Sequence, residues 1–165
     1  MSRKINTKDL VNKIEKLTKE RMGQPDVIQM DDLRKLRERK IQRTILIIED
    51  DETIRSALRR VFENDGYRVL AAADGTQLST VLDDAPVDLI MLDIGLPWIN
   101  GFELAEMMKA HEDLKDIPLI FLSGRTSDVD VKKGFDVGAD DYIKKPFDIE
   151  KVKRTVNTLI HLAHD

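Results

Sequence analysis

TILIIEDDE at residues 44–52 and VDLIMLD at residues 87–93 each carry an apolar run directly into a carboxylate. The run ILII at 45–48 is too short for a helix and rich in β-branched side chains, so it reads as a buried strand that ends at the acidic stretch Glu49-Asp50-Asp51-Glu52. Val87–Leu92 reads as a second such strand, ending at Asp93. Between them, Ile54, Leu58, Val61 and Phe62 form an apolar stripe of helical period over residues 53–64, which Gly66 ends. A strand at 67–71 follows, then a short helix at 76–82 with Leu78, Val81 and Leu82 inward, and Pro86. Beyond Asp93 the alternation continues. A helix is expected at 101–110 with Phe102, Leu104, Ala105 and Met108 buried, a strand at 117–122 reaching Ser123, and a helix at 129–137 stopped by Gly138. A short strand around Tyr142-Ile143 ends at Lys144-Lys145-Pro146, and a last helix is capped by Asp148 and runs to about residue 161.

Successive strand–helix cycles joined by right-handed crossovers return the chain to the same end of a parallel sheet. Strands that are apolar throughout are covered on both faces. The expectation is a doubly wound, five-stranded α/β sandwich over residues 44–165, preceded by a helical arm at 1–43. Charge divides at the same place. The arm has 13 Lys and Arg against 7 Asp and Glu, and the remainder has 14 against 24, so a net −4 conceals +6 and −10. No segment approaches the ~18 apolar residues of a membrane span, and the N-terminus lacks the apolar core of a secretory signal, which points to the cytoplasm. The absence of cysteine excludes disulfides, cysteine catalysis and thiolate metal sites.

Functional groups of such sheets collect beyond the carboxyl ends of the strands. Here those ends supply Glu49, Asp50 and Asp51, then Asp93, Ser123 and Lys145. Taken singly, each has a plainer reading: an acidic run is usually a solvated loop, an Asp after a strand a turn former, a Lys before Pro a surface residue. Their convergence on one rim, each from a different cycle, favours a site. Clustered carboxylates repel and are relieved by a proton or a cation. An oxygen-only donor set suits Mg²⁺, with Mn²⁺ as the alternative, and leaves coordination positions for phosphate oxygens. A carboxylate nucleophile, a metal, an ammonium and a hydroxyl are the components of phosphoryl transfer.

The stretches ILIIEDDETIRSALRRVF, DLIMLDIGLPWINGFEL and PLIFLSGRTSDVDVKKGFDVGADDYIKKPF resemble the receiver domain of bacterial response regulators, over essentially all of residues 44–163. The resemblance implies a flavodoxin-like strand order, 2-1-3-4-5. It implies that Asp93 is the phosphoacceptor, that Glu49 and Asp50 hold Mg²⁺ with Asp93, and that Gly95 offers its backbone carbonyl to the metal. Ser123 and Lys145 match the residues that contact the phosphoryl group, and Tyr142 the aromatic switch whose ring turns inward as Ser123 moves. The implied partners are a histidine kinase or a phosphotransfer protein, with an unnamed downstream target. A homodimer would use either the arm or the face formed by the fourth helix, fifth strand and fifth helix of the cycles. Leu96, Trp98 and Ile99 depart from the usual residues after the acceptor, and none removes a reacting group.

Two rival readings are weaker. An Asp-dependent phosphatase of the haloacid-dehalogenase type needs a second Asp where Gly95 stands, and a binding-only pseudo-receiver has no need to keep Glu49, Asp50, Asp93, Ser123 and Lys145 together. In the arm, Asn6 or Thr7 would cap a helix carrying Leu10, Val11, Ile14 and Leu17, ended by Gly23-Gln24-Pro25. A second helix from about Asp26 or Asp31 would carry Leu33, Leu36 and Ile41 among basic residues. Nothing in the arm has the pattern of a nucleic-acid module, so nucleic acid is not an expected partner. After the last helix only Ala163-His164-Asp165 remain, so no effector domain is expected downstream. The three histidines, His111, His161 and His164, are expected at the surface.

Overall fold

The computed structural model describes residues 7–21 and 41–164. The chain divides into two compact units, residues 1–41 and 42–165. In the first, α1 (Thr7–Arg21) is the described helix, with Leu10, Val11 and Leu17 exposed on it and Ile14 partly covered. The expected second helix of the arm, with Leu33 and Leu36, and the terminator at 23–25 lie outside the described residues. No described helix is long and apolar enough to cross a membrane.

The second unit runs β1 (Thr44–Ile48), α2 (Glu52–Asn64), β2 (Arg68–Ala72), α3 (Gly75–Asp84), β3 (Leu89–Leu92), α4 (Gly101–Ala110), β4 (Leu119–Ser123), α5 (Asp128–Asp136), β5 (Asp141–Lys144) and α6 (Ile149–His164). The strands form one parallel sheet in the order β2-β1-β3-β4-β5. This is the flavodoxin-like architecture expected from the sequence. Alternate strand residues face opposite layers. Ile45, Ile47, Leu89, Met91, Ile120, Leu122 and Ile143 pack with Leu58 and Phe62 of α2 and Val152, Val156 and Ile160 of α6. Leu46, Ile48, Ile90, Leu92, Leu119 and Phe121 pack with Leu78 of α3 and Phe102, Leu104, Ala105 and Met108 of α4.

Several boundaries differ from the sequence expectation, each for a local reason. β3 starts at Leu89 and not Val87, because the Asp88 carboxylate itself takes the Thr44 N–H, at 2.7 Å. β4 starts at Leu119 because Pro118 has no N–H to give the ladder, and it runs one residue further, to include Ser123. Asp51 leaves the acidic rim altogether: its carboxylate accepts from Ile54 N at 3.1 Å and caps α2. Ser127, not singled out in the sequence, caps α5 by accepting from Asp130 N at 3.1 Å. Asp148 accepts from Glu150 N at 3.0 Å at the start of α6, as expected of a cap.

The register sets the rim. Ile48 pairs with Leu92, so the next residues, Glu49 and Asp93, leave adjacent central strands side by side. Asp93 N donates to Ile48 O at 3.0 Å, extending the ladder by one step and holding the acceptor's backbone. Ser123 pairs with Lys144, which places Lys145 one residue beyond the end of β5.

Candidate functional site

Glu49, Asp50 and Asp93 converge as expected: one carboxylate oxygen from each lies within 4.8 Å of the others. Glu49 and Asp93 are 2% and 7% exposed, whereas Asp50 faces solvent. An all-oxygen set of this size, open on one side through Asp50, fits a hard divalent cation, because Mg²⁺ binds one or two carboxylates readily and keeps several waters. The Lys145 ammonium sits between the two buried acids, 2.7 Å from Glu49 Oε2 and 3.2 Å from Asp93 Oδ2. The Lys145–Pro146 peptide is cis.

The electrostatics follow from burial. Loss of water around Glu49 pushes its pKa up to about 7, a rise opposed by the Lys145 hydrogen bond and reinforced by the neighbouring Asp93 charge. Burial alone would lower the Lys145 pKa, but its hydrogen bond and charge contacts with Glu49, and then Asp93, outweigh that and hold the ammonium above the ordinary lysine value. The lysine is a fixed cation at the acceptor.

Gly95 is exposed, and its N–H donates to Asp93 Oδ1 at 3.1 Å, orienting the carboxylate. Ser123 is 1% exposed, and its Oγ accepts from Arg125 N at 3.2 Å. Tyr142 is 7% exposed, its ring is tilted against Phe121, and its hydroxyl donates to the Arg125 carbonyl. Burial, first, raises the Tyr142 pKa above the ordinary phenol value. The hydroxyls of Ser123 and Tyr142 are thus tied to the N–H and the C=O of a single residue.

Three contributors were not legible in the sequence. Arg125 is one, since its backbone and not its side chain makes the links. Arg55 is another: its Nη1 donates to Glu49 O at 2.9 Å and to Asp50 O at 3.2 Å, clasping the backbone of the acidic turn. Trp98, noted only as unusual in its loop, is half-buried and donates from Nε1 to Ala73 O at 3.2 Å, pinning the loop after Asp93 to the β2–α3 turn. The histidines stand apart from the rim. His111 Nδ1 accepts from Asp113 N at 3.1 Å, and His164 Nε2 lies 3.3 Å from Asp88 Oδ1.

Known proteins share the sequence pattern and the fold. The family described as response regulator receiver domain matches residues 45–157. The aerobic respiration control protein ArcA of Escherichia coli is 41% identical over 103 residues, covering 62% of this chain and 42% of ArcA. The transcriptional regulatory protein CpxR of Klebsiella pneumoniae is 36% identical over 121 residues, covering 73% of this chain and 50% of CpxR. The chain therefore spans half or less of these curated relatives. Among solved structures, the chemotaxis response regulator CheY4 of Vibrio cholerae has a TM-score of 0.66 at 28% identity, covering 72% of this chain and 98% of CheY4. The receiver domain of Francisella response regulator 1452 has a TM-score of 0.67 at 28% identity, covering 73% of this chain and 98% of its own. With the sheet order, the acidic rim and the family match in agreement, the chain belongs to the response regulator receiver domains of two-component signalling systems.

Proposed function

We propose that Asp93 is the phosphoacceptor of this receiver and that Glu49, Asp50 and Asp93 hold Mg²⁺, or Mn²⁺ in its place, with the Gly95 backbone carbonyl as a further ligand. The observation that carries the reading is the meeting of three carboxylates within 4.8 Å, with the Lys145 ammonium on the buried acceptor. An Asp93 oxygen attacks phosphorus in a phosphohistidine of a kinase or phosphotransfer protein. A P–O bond forms, the P–N bond breaks, and imidazole departs with the electron pair. The bound metal supplies positive charge against the phosphoryl oxygens. Lys145 turns from the carboxylates to a phosphoryl oxygen, and Ser123 donates its hydroxyl to another.

The added charge, about 1.5 to 2 units, draws Ser123 and Lys145 toward it. Because the Ser123 and Tyr142 hydroxyls share the Arg125 backbone, movement of Ser123 is transmitted to the Tyr142 ring and so to the α5–β5–α6 face, where a downstream partner or a second copy reads it. In this reading residues 44–165 are the receiver and the basic stretch 1–43 is an extension. The same reading has the protein work in the cytoplasm, in keeping with the absence of a described helix long and apolar enough to cross a membrane.

Incubation with acetyl phosphate and Mg²⁺ is expected to add one phosphoryl mass, with acetate leaving, and excess EDTA to prevent it. Intact-mass spectrometry reads both. A full chain that gains no mass with Mg²⁺ present rules the proposal out.

Cation binding is expected to depend on pH through Glu49. Its folded pKa stands at about 7, above the ordinary 4.5, so Mg²⁺ must displace a proton below that value. The apparent affinity should fall roughly tenfold per pH unit below 7 and level off above it. The same sign governs the metal-free protein. The protonated form is the better tolerated one, so its contribution to stability is complete below pH 4.5 and is lost as pH rises through 7. Calorimetric Mg²⁺ titrations across this range, showing an affinity independent of pH, would remove Glu49 from the ligand set.

A further inference from the structure

Arg55 reaches the acidic turn through that turn's backbone, with Nη1 donating to the carbonyls of the two residues whose carboxylates converge on Asp93. Glu49 follows β1 and Asp50 begins the turn into α2, whose first residues include Arg55. The local hydrogen bonds leave this turn lightly held. Asp51 N reaches Glu49 Oε1 at 3.2 Å, Glu49 N reaches Ala72 O at 3.2 Å, and the Asp51 carboxylate is committed to the helix cap. The two carbonyls of Glu49 and Asp50 are both taken by one guanidinium nitrogen, at 2.9 and 3.2 Å. The two N–H groups of that nitrogen are held in the guanidinium plane and so meet both carbonyls at set angles, whereas a lysine ammonium stands on a stem one atom shorter and rotates freely.

We propose that Arg55 is a positioning residue for the divalent-cation site: by clasping the Glu49 and Asp50 carbonyls it fixes the rotation of that turn, so that both carboxylates face Asp93. The proposal deepens the reading of Glu49, Asp50 and Asp93 as a cation site and rests on it. Two effects of the same side chain oppose each other, and this separates them. As a positive charge beside the site, Arg55 repels a cation, so its removal would tighten binding if charge were its only effect. As a clasp it preorganises two ligands, so its removal loosens binding. Groups outside the ligand shell that orient ligands are typically worth about 10- to 100-fold in metal affinity, more than a partly solvated charge contributes through screening.

The variants are Arg55→Lys, which keeps the charge and loses the two-acceptor grip, and Arg55→Met, which loses both. Arg59→Met, one turn along α2 where Arg59 lies 4.0 Å from Glu63, removes the same charge without touching the turn. Mg²⁺ titration calorimetry on the full chain is expected to show Arg55→Lys weakened about tenfold. Arg55→Met should be weakened less, because lost repulsion offsets part of the lost alignment, and Arg59→Met should match or slightly exceed the unaltered protein. Thermal unfolding in EDTA accompanies each variant, and a fall in affinity at matched unfolding temperature supports positioning over general destabilisation. Arg55→Met binding as tightly as the unaltered protein, or more tightly, overturns the proposal. So does a fall in affinity that simply follows the unfolding temperature across all three variants. An unaltered chain that binds no Mg²⁺ overturns the site reading and the inference with it, whereas normal binding that is indifferent to Arg55 overturns the inference alone.

Discussion

Asp93→Asn is expected to abolish phosphoryl uptake from acetyl phosphate while the chain stays folded. Asparagine has nearly the shape of aspartate, and its side-chain oxygen can keep the bond from Gly95 N, which is 3.1 Å in the native protein. The amide is no nucleophile toward phosphorus, so the loss should be complete. Stability should move little, because two effects oppose. Lys145 loses one of its two carboxylate partners, and Glu49 loses the neighbouring charge that helps raise its pKa. Mg²⁺ affinity should fall as well, since one of the three converging carboxylates is gone. Intact-mass spectrometry with a thermal melt on the same sample reads both parts. A phosphoryl mass that survives the substitution moves the acceptor to another residue.

Gly101→Ala should cost the most stability of any conservative change near the site. A Cβ at Gly101 would stand 2.4 Å from Ile94 Cα and 2.6 Å from Asp93 O, both backbone atoms with no rotamer to yield. Gly101 N also donates to Ile94 O at 3.0 Å, which ties the start of α4 to the chain leaving β3. Alanine would favour the helix by up to ~1 kcal/mol, and the clash outweighs that. Overpacking against backbone is expected to cost about 3 kcal/mol. In a domain of this size that lowers the unfolding midpoint by about 10 °C, readable by circular dichroism. Because the displaced backbone is that of Asp93 and Ile94, Mg²⁺ affinity should drop with it. An unfolding midpoint equal to that of the native chain would show that α4 does not need this close approach.

Trp98 and Ile99 show how far the residues alone could be read. As unusual residues in an acceptor loop they were visible, but what Trp98 does was not, because Ala73 is distant in sequence and only the packed sheet brings the β2–α3 turn beneath the indole. Arg55 was equally silent, since an arginine on a helix beside an acidic run has the look of solvated charge. Ser123 and Tyr142 were both picked out, yet their shared tie to the Arg125 backbone depends on the course of the loop between β4 and α5. Asp51 shows the opposite limit: grouped with the rim by adjacency, it caps α2, because the chain must turn there and the nearest carboxylate takes the free N–H.

The sequence by itself determined the alternation of strand and helix, the parallel sheet and the identity of the acids at its rim. These depend on periodicity and on side-chain chemistry, which are local or nearly so. Only the tertiary structure decided that Glu49 leaves its strand beside Asp93, that Lys145 reaches both, and that Arg55 turns back on the acidic turn. Strand register and helix packing set those distances, and both are properties of the whole core, since shifting one strand by a residue would exchange its side chains between the two apolar layers and carry its terminal carboxylate out of reach.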